Sequence, residues 1–178
     1  MNNIIPHPKL TLALVLGAIT VSTVAVYALT NNPLASGTIA SSDLFNGPAT
    51  IRMTQLLVNP GDTIAWHYHP GRSYVIVKSG TITEDLGCGG TEVFSTGQAF
   101  EETTHSVHQV RNLGTTQAEL YVTTIFPFGG SGSIQTGGPL CGPALTVDQC
   151  KNSGWMSFNF PRSFQNQGDC VSFIQTGQ

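Results

Sequence analysis

Four histidines in the middle of the chain lie in two short stretches, and imidazole is the commonest metal-binding side chain in proteins. His67 and His69 are separated by one residue, and His105 and His108 follow further along. Side chains two positions apart on a strand share a face, so His67 and His69 would project together. With His108 facing them from a separate strand, three imidazoles could bind one divalent metal ion and leave coordination positions open. The alternative is that these rings are polar groups lining a metal-free pocket.

The elements that must position these histidines are short β-strands. β-prone runs separated by turn residues recur about every 8 to 12 residues between 49 and 128, a pattern typical of a sandwich or barrel. Helical periodicity is not sustained anywhere in this stretch. The pattern predicts an all-β domain with strands at 50–58, 63–69, 73–80, 81–86, 91–95, 105–112 and 118–126.

Two runs in this region resemble the paired motifs of the cupin family. Residues 61–80 follow the order Gly-x5-His-x-His-x4-Tyr-x5-Gly, and residues 97–112 follow Gly-x10-His-x3-Asn. The resemblance covers about residues 49–128. It implies a single jelly-roll barrel, with the three motif histidines facing its interior.

The sequence departs from the first cupin motif at Tyr74, where the family usually places a glutamate ligand. Without that carboxylate the ligand set of His67, His69 and His108 is neutral and resembles thiol-dioxygenase-type cupins more than germins. A neutral imidazole set favours Fe, Cu, Ni or Zn over Mn. Tyr74 is a catalytic candidate, since its phenol could bind substrate, donate a proton or ligate weakly; the alternative is that it only packs in the barrel.

Other polar residues near the motifs are candidates for supporting roles. His105 would either orient a ligand or lie in a surface loop, and Asn112 would secure a turn by hydrogen bonds. Arg72, at the expected rim, could attract an anionic substrate. Glu101 and Glu102 are expected in a solvated turn; the alternative is that either side chain reaches the mouth of the barrel.

The pattern of residues 1–28 predicts a helical signal peptide or membrane anchor. Residues 10–29 are apolar and uncharged, Lys9 precedes them, and small residues near Ala28 suit cleavage. We expect export, either by secretion or to the cell envelope or periplasm. An uncleaved anchor remains the alternative, because about 20 apolar residues can span a bilayer. A flexible lead-in is expected at 29–48.

The four cysteines all follow the apolar segment, and an even number in an exported chain predicts two disulfides. Spacing alone allows three pairings of Cys88, Cys141, Cys150 and Cys170. No Cys-x-x-Cys pair is present to indicate a zinc site. Residues 129–138 are rich in glycine and predict a flexible linker, followed by a Cys-containing extension at 139–178.

The extension resembles a short Cys-bounded segment at the C-terminus of assorted exported bacterial proteins. The resemblance rests on the run CKNSGWMSFNFPRSFQNQGDCVSF at 150–173. It implies a Cys150–Cys170 disulfide, which leaves Cys88 for Cys141, and it implies no chemistry.

A metal site with open positions favours a metal-dependent oxidoreductase of dioxygenase type acting on a small molecule. The alternative is a non-enzymatic module that binds a sugar or another small ligand, with or without metal. A formal net charge of −3 with scattered Lys and Arg argues against nucleic acid as a partner. The resemblance also leaves a homodimer open, and contact with a membrane is expected only through an uncleaved N-terminal segment.

Overall fold

The structure is a computed structural model that describes residues 29–176. Two five-stranded antiparallel sheets face each other in a jelly-roll-like arrangement, in the orders β1-β2-β9-β4-β7 and β10-β3-β8-β5-β6. The strands are β1 Thr30–Ser42, β2 Gly47–Val58, β3 Thr63–Tyr68, β4 Arg72–Ser79, β5 Thr81–Leu86, β6 Thr91–Ser95, β7 Ala99–Glu102, β8 His108–Arg111, β9 Ala118–Pro127 and β10 Ile134–Gln135.

Alternation along the strands builds the core. On β4, Ser73, Val75 and Val77 are buried between the sheets while Tyr74 and Ile76 are exposed. Each buried Val, Leu or Ile contributes about 1.5–3 kcal/mol relative to exposure. The buried core consists of Val58, Val75, Val77, Ile82, Val110, Ala118 and Leu120.

The flexible lead-in expected at 29–48 is wrong for most of its length. Residues 30–42 form β1, which pairs antiparallel with β2 from Thr30↔Leu57 to Ser42↔Gly47. The strand is mostly exposed and polar, so its side chains give little hydrophobic signal. It forms because the backbone of β2 offers hydrogen bonds along the edge of the sheet. A proline, Pro33, is tolerated there next to a register shift.

The segment 129–138, expected to be a flexible linker, runs along the barrel. Ile134 and Gln135 form β10, which pairs with the end of β3, and the amide of Thr136 donates to the carbonyl of Trp66. We call residues 129–141 the strap. Its far end packs closely, since a side chain at Gly87 would collide with the carbonyl of Leu140.

The extension after the strap forms a small module with helices α1 Val147–Cys150 and α2 Gln167–Thr176 and a 3-10 helix at Gly154–Ser157. One disulfide, Cys150–Cys170, lies inside its core, and the other, Cys88–Cys141, joins the end of the strap to the barrel. These are the two pairs that the resemblance of the tail implies. The module core contains Cys141, Ala144, Cys150, Phe158, Phe164 and Cys170.

The expected signal peptide or anchor, 1–28, lies outside the described residues. Within residues 29–176, none of the helices has the length and apolar character needed to cross a membrane.

Candidate metal centre

Three histidines converge because two antiparallel strands place them opposite each other. His67 on β3 is the register partner of His108 on β8, and their ring centroids are 4.4 Å apart. His69 follows β3 on the same side, with its ring centroid 5.0 Å from that of His67. All three side chains are buried. One ring nitrogen from each of the three histidines lies within 4.8 Å of the other two, close enough for a shared metal ion.

The backbone fixes which nitrogen of each ring points at the centre. The Nδ1 atoms of His67, His69 and His108 lie 2.8, 2.6 and 3.0 Å from the carbonyl oxygens of residues 65, 132 and 106. A carbonyl only accepts, so each Nδ1 must carry the proton and donate. In the neutral ring the lone pair is then on Nε2, which is the tautomer that a metal ligand needs.

A carboxylate that the sequence analysis placed in a solvated turn completes the cluster. Glu102, the last residue of β7, is buried, with Oε2 3.0 Å from Nε2 of His69 and Oε1 3.2 Å from Nε2 of His108. It faces inward because β7 pairs with β4, where Glu102 lies opposite the buried Ser73. The expected three-histidine group is present, and a carboxylate that was not counted with it lies beside two of its rings. The reason for ranking manganese below the other metals depended on the absence of such a carboxylate.

Burial and the contacts within the cluster set the charge of its members. Burial, followed by the charge of His108, lowers the pKa of His67 to about 4, so this ring is neutral at pH 7. Burial disfavours the charged form of Glu102, but its contacts with His108 and His69 prevail and hold the pKa well below the usual range. Burial also opposes charge on His108, yet the proximity of Glu102 raises its pKa.

The arrangement passes a simple test of fit for a metal ion. If the rings are neutral and Nδ1-protonated, an ionised Glu102 and the Nε2 atoms direct lone pairs at one another, an arrangement that a cation between them would stabilise, as would a proton on His108. The Nε2 atom of His108 is buried without a well-formed hydrogen bond, because its contact with Glu102 has poor geometry. Buried polar atoms in proteins nearly always have a partner, so this atom indicates a ligand position. A divalent transition metal fits the three imidazoles and the carboxylate.

A second buried carboxylate, Glu84 on β5, lies behind His108, with Oε1 3.9 Å from Nδ1. Burial raises its pKa to about 7, the charge of His108 opposes that rise, and the charge of Glu102 adds to it. Glu84, Glu102 and His108 form a second group spaced for a metal ion. The sequence analysis missed Glu84, although it shares the inward face of β5 with Ile82 at i and i+2 spacing.

Tyr74 does not reach the pocket. Its side chain is on the outer face of β4 and 40% exposed, and the inward residue at this point is Ser73. The expectation that Tyr74 replaces the motif glutamate inside the barrel is wrong, because strand alternation turns it outward. Arg72 is on the outer face too, with Nη1 3.2 Å from Oε1 of Glu101, so its charge is already paired.

The other two supporting candidates serve the backbone. The amide of His105 donates to the carbonyl of His69, while its ring packs against Tyr68 with centroids 5.5 Å apart. Asn112 is fully buried and donates to the carbonyls of Val58 and Thr116, which secures the turn before β9. Neither side chain contacts the histidine cluster.

A cavity of about 190 Å³ opens beside His67 and His69 between the sheets. Its walls come from β2, β9, the end of β3 and the strap, whose Gly132 carbonyl accepts the Nδ1 proton of His69. A side chain at position 132 would crowd the ring of Phe126, so glycine allows this close approach. The further lining residues are Leu29, Asn31, Arg52, Thr54, Leu56, Ile64, Val122, Thr124, Ser131 and Ser133.

One family model matches the part of the chain that contains this site. Residues 55–124 match the family model Cupin_2, the cupin domain. The matched segment contains all three histidines of the cluster and Glu102. The match supports the cupin resemblance of the barrel. No curated protein matches the chain.

Several solved structures resemble part of the chain. A Cupin 2 conserved barrel domain protein from Salinispora arenicola is 21% identical over 56% of this chain and 76% of that chain, with a TM-score of 0.44. The Cupin_2 domain of an XRE family transcriptional regulator from Enterobacter cloacae is 16% identical over 56% of this chain and 97% of that chain, with a TM-score of 0.42. An oxalate oxidase in complex with the substrate analogue glycolate is 21% identical over 47% of this chain, with a TM-score of 0.41. The alignment spans only 45% of the oxalate oxidase chain.

Proposed function

We propose that the protein is a cupin-type oxidoreductase that uses one divalent transition metal to act on a small molecule. The ligands are Nε2 of His67, His69 and His108 together with the carboxylate of Glu102. The observation that carries this proposal is the grouping of three Nδ1-protonated imidazoles, with the buried carboxylate of Glu102 3.0 and 3.2 Å from Nε2 of His69 and His108. Four protein ligands would leave coordination positions of such an ion open for small molecules.

The chemistry of the cavity wall favours a reaction centred on the metal. A bound metal of this kind would supply Lewis acidity or redox capacity. Apart from His67 and His69, the described residues of the cavity wall include no Asp, Glu, Cys, Tyr, Lys or His side chain that could act as a general acid or base. Hydrolysis or isomerisation usually needs such a group, whereas an oxidation at the metal does not.

Backbone carbonyls and one carboxylate would position the proposed ligands. The carbonyls of Ala65, Ser106 and Gly132 orient the three rings, and Glu102 provides the negative charge that favours a cation. Burial keeps His67 neutral and available as a ligand at pH 7.

The same cavity wall also suits a protein that only binds its ligand, since it lacks an additional acid or base. The two functions are separated by oxygen uptake. We expect the iron-, copper- or manganese-loaded protein to consume oxygen with a small-molecule substrate, and the zinc-loaded protein to bind it without uptake. Ligand binding without oxygen uptake for every metal would favour the binding module.

Export is part of the proposal and is supported by the cysteines. All four are paired in disulfides, which persist in oxidising compartments. N-terminal sequencing of the mature protein tests it. A chain that begins near Leu29 would indicate a cleaved signal, and an intact N-terminus in the membrane fraction would indicate an anchor.

The strap gives a prediction about the disulfides. Replacing Cys88 and Cys141 together with serine should weaken metal binding about 10-fold, because the strap that orients His69 loses its covalent tether and orienting partners typically contribute 10- to 100-fold. Metal titration followed by calorimetry measures the change. The matched control replaces Cys150 and Cys170, whose disulfide closes within the C-terminal module; it should leave metal affinity unchanged. Equal weakening in both double variants would contradict a specific role of the strap.

A conservative change at Tyr74 should have no effect on the site. Tyr74→Phe removes a hydroxyl on the outer face of β4, so metal stoichiometry and affinity should equal those of the wild type. Elemental analysis after dialysis checks this. A clear drop in bound metal would mean that the phenol reaches the ion after all.

A further inference from the structure

The sheet that carries Glu102 also presents a row of polar side chains on its inner face. Register pairs connect Arg52 on β2 to Thr124 on β9, Thr124 to Ser73 on β4, and Ser73 to Glu102 on β7. We call these four residues the polar row. It crosses four adjacent strands and ends at the carboxylate of the proposed metal site.

The rows deeper in the barrel are mainly apolar, so the polar row is not a general property of this sheet. The next row consists of Thr54, Val122, Val75 and Phe100, with Thr54 as its one polar member, and the row of Leu56, Leu120 and Val77 follows. The second of these rows lies in or against the hydrophobic core. Polar groups are therefore concentrated at the end of the barrel where the cavity lies.

Arg52 is distinguished from the other arginines by the absence of an acidic partner. Arg72, Arg111 and Arg162 each form an ion pair with a carboxylate. Arg52 has none within the described residues; its guanidinium lies 4.9 Å from the centroid of the Phe126 ring. Its side chain lines the cavity together with His67. An unpaired cation facing a cavity is available to bind an anion.

The spacing leaves room for a small ligand between Arg52 and the metal site. Three strand intervals separate Arg52 from Glu102, which is about 14 Å from backbone to backbone. Between them lie the hydroxyls of Thr124 and Ser73, whose oxygens are 3.4 Å apart. The cavity of about 190 Å³ suits a molecule of only a few non-hydrogen atoms.

We propose that Arg52, assisted by the Thr124 hydroxyl, binds the carboxylate of a small carboxylic acid whose other end reaches the open side of the metal. This inference rests on the proposed function and names its substrate class. The planar guanidinium matches a carboxylate with two parallel hydrogen bonds, and hydroxyls on the row can donate a further one. The charges also fit, because a divalent ion with one glutamate leaves a net positive site.

The test uses the full-length protein loaded with zinc, which avoids turnover. Calorimetry compares lactate, pyruvate and malonate with their uncharged amides, which keep the size but replace one oxygen of each carboxylate with an NH₂ group. We expect the wild type to bind at least one acid more tightly than its amide. Arg52→Gln should weaken binding of that acid about 10- to 100-fold, the range of one charge-assisted contact, and leave the amide unaffected. The matched control is Arg72→Gln, which removes an arginine from the outer face of the same sheet and should change nothing.

The outcomes separate this inference from the proposed function. A wild-type protein that binds no zinc contradicts the metal site itself. Zinc binding with no preference for any acid over its amide, or a preference that survives Arg52→Gln, overturns only the carboxylate subsite. Loss of zinc in Arg52→Gln would show that the arginine supports the metal site rather than a ligand, and this too would overturn the inference.

Discussion

Replacing Glu102 with glutamine should weaken divalent-metal binding by more than about 100-fold. Residues that only orient a ligand typically contribute 10- to 100-fold, and a charged ligand should exceed that range. The change keeps the size of the side chain but removes the negative charge that lies 3.0 and 3.2 Å from two imidazole nitrogens. Competition with a chromogenic chelator measures the affinity directly.

The neighbouring residue supplies the control for this prediction. Glu101 precedes Glu102 on β7 but is exposed on the outer face, where it pairs with Arg72. Glu101→Gln should therefore leave metal affinity within about two-fold of wild type, as expected for a surface ion pair. Equal affinities for both variants would show that Glu102 is only a partner of protonated histidines and not a ligand.

Replacing His108 with alanine should remove essentially all bound metal and leave the barrel folded. His108 is the register partner of His67 and contacts Glu102. Its loss removes one proposed ligand and leaves a cavity next to the Glu102 carboxylate. The hydrophobic core lies deeper between the sheets and contains none of the ligands. Elemental analysis should find no stoichiometric metal, while circular dichroism should keep the β-sheet signal.

His105 is the matched control for the loss of an imidazole. It lies three residues before His108, and its ring packs on Tyr68 outside the cluster. His105→Ala should retain one equivalent of metal with little change in affinity. Metal retained in His108→Ala, or lost equally in both variants, would contradict the proposed ligand set.

Strand alternation and motif spacing were enough to predict the histidine cluster. His67 and His69 needed only the rule that residues two apart share a face, and the cupin-like spacing placed His108 opposite them. The all-β fold followed from regularly spaced β-prone runs. These features depend on local periodicity, which a sequence displays directly.

The features that sequence reasoning missed depend on which strands pair. Two adjacent glutamates give no sign of which one is buried; only the pairing of Glu102 with Ser73 decides it. The outward position of Tyr74 follows from the same register. Strand β1 and the strap lack hydrophobic patterning, and both are ordered by hydrogen bonds to a neighbouring strand. The unpaired charge of Arg52 likewise becomes visible only when the partners of the other arginines are known.

Metal content tests the central claim most directly. Elemental analysis would be made on protein purified from its own cells without chelators or a His tag, alongside the His67→Ala variant. The three clustered imidazoles and the carboxylate beside them predict about one equivalent of a divalent transition metal in the wild type and none in the variant. A folded wild-type protein that contains no metal, and takes up none when titrated with iron, manganese, copper, nickel or zinc, would contradict the claim.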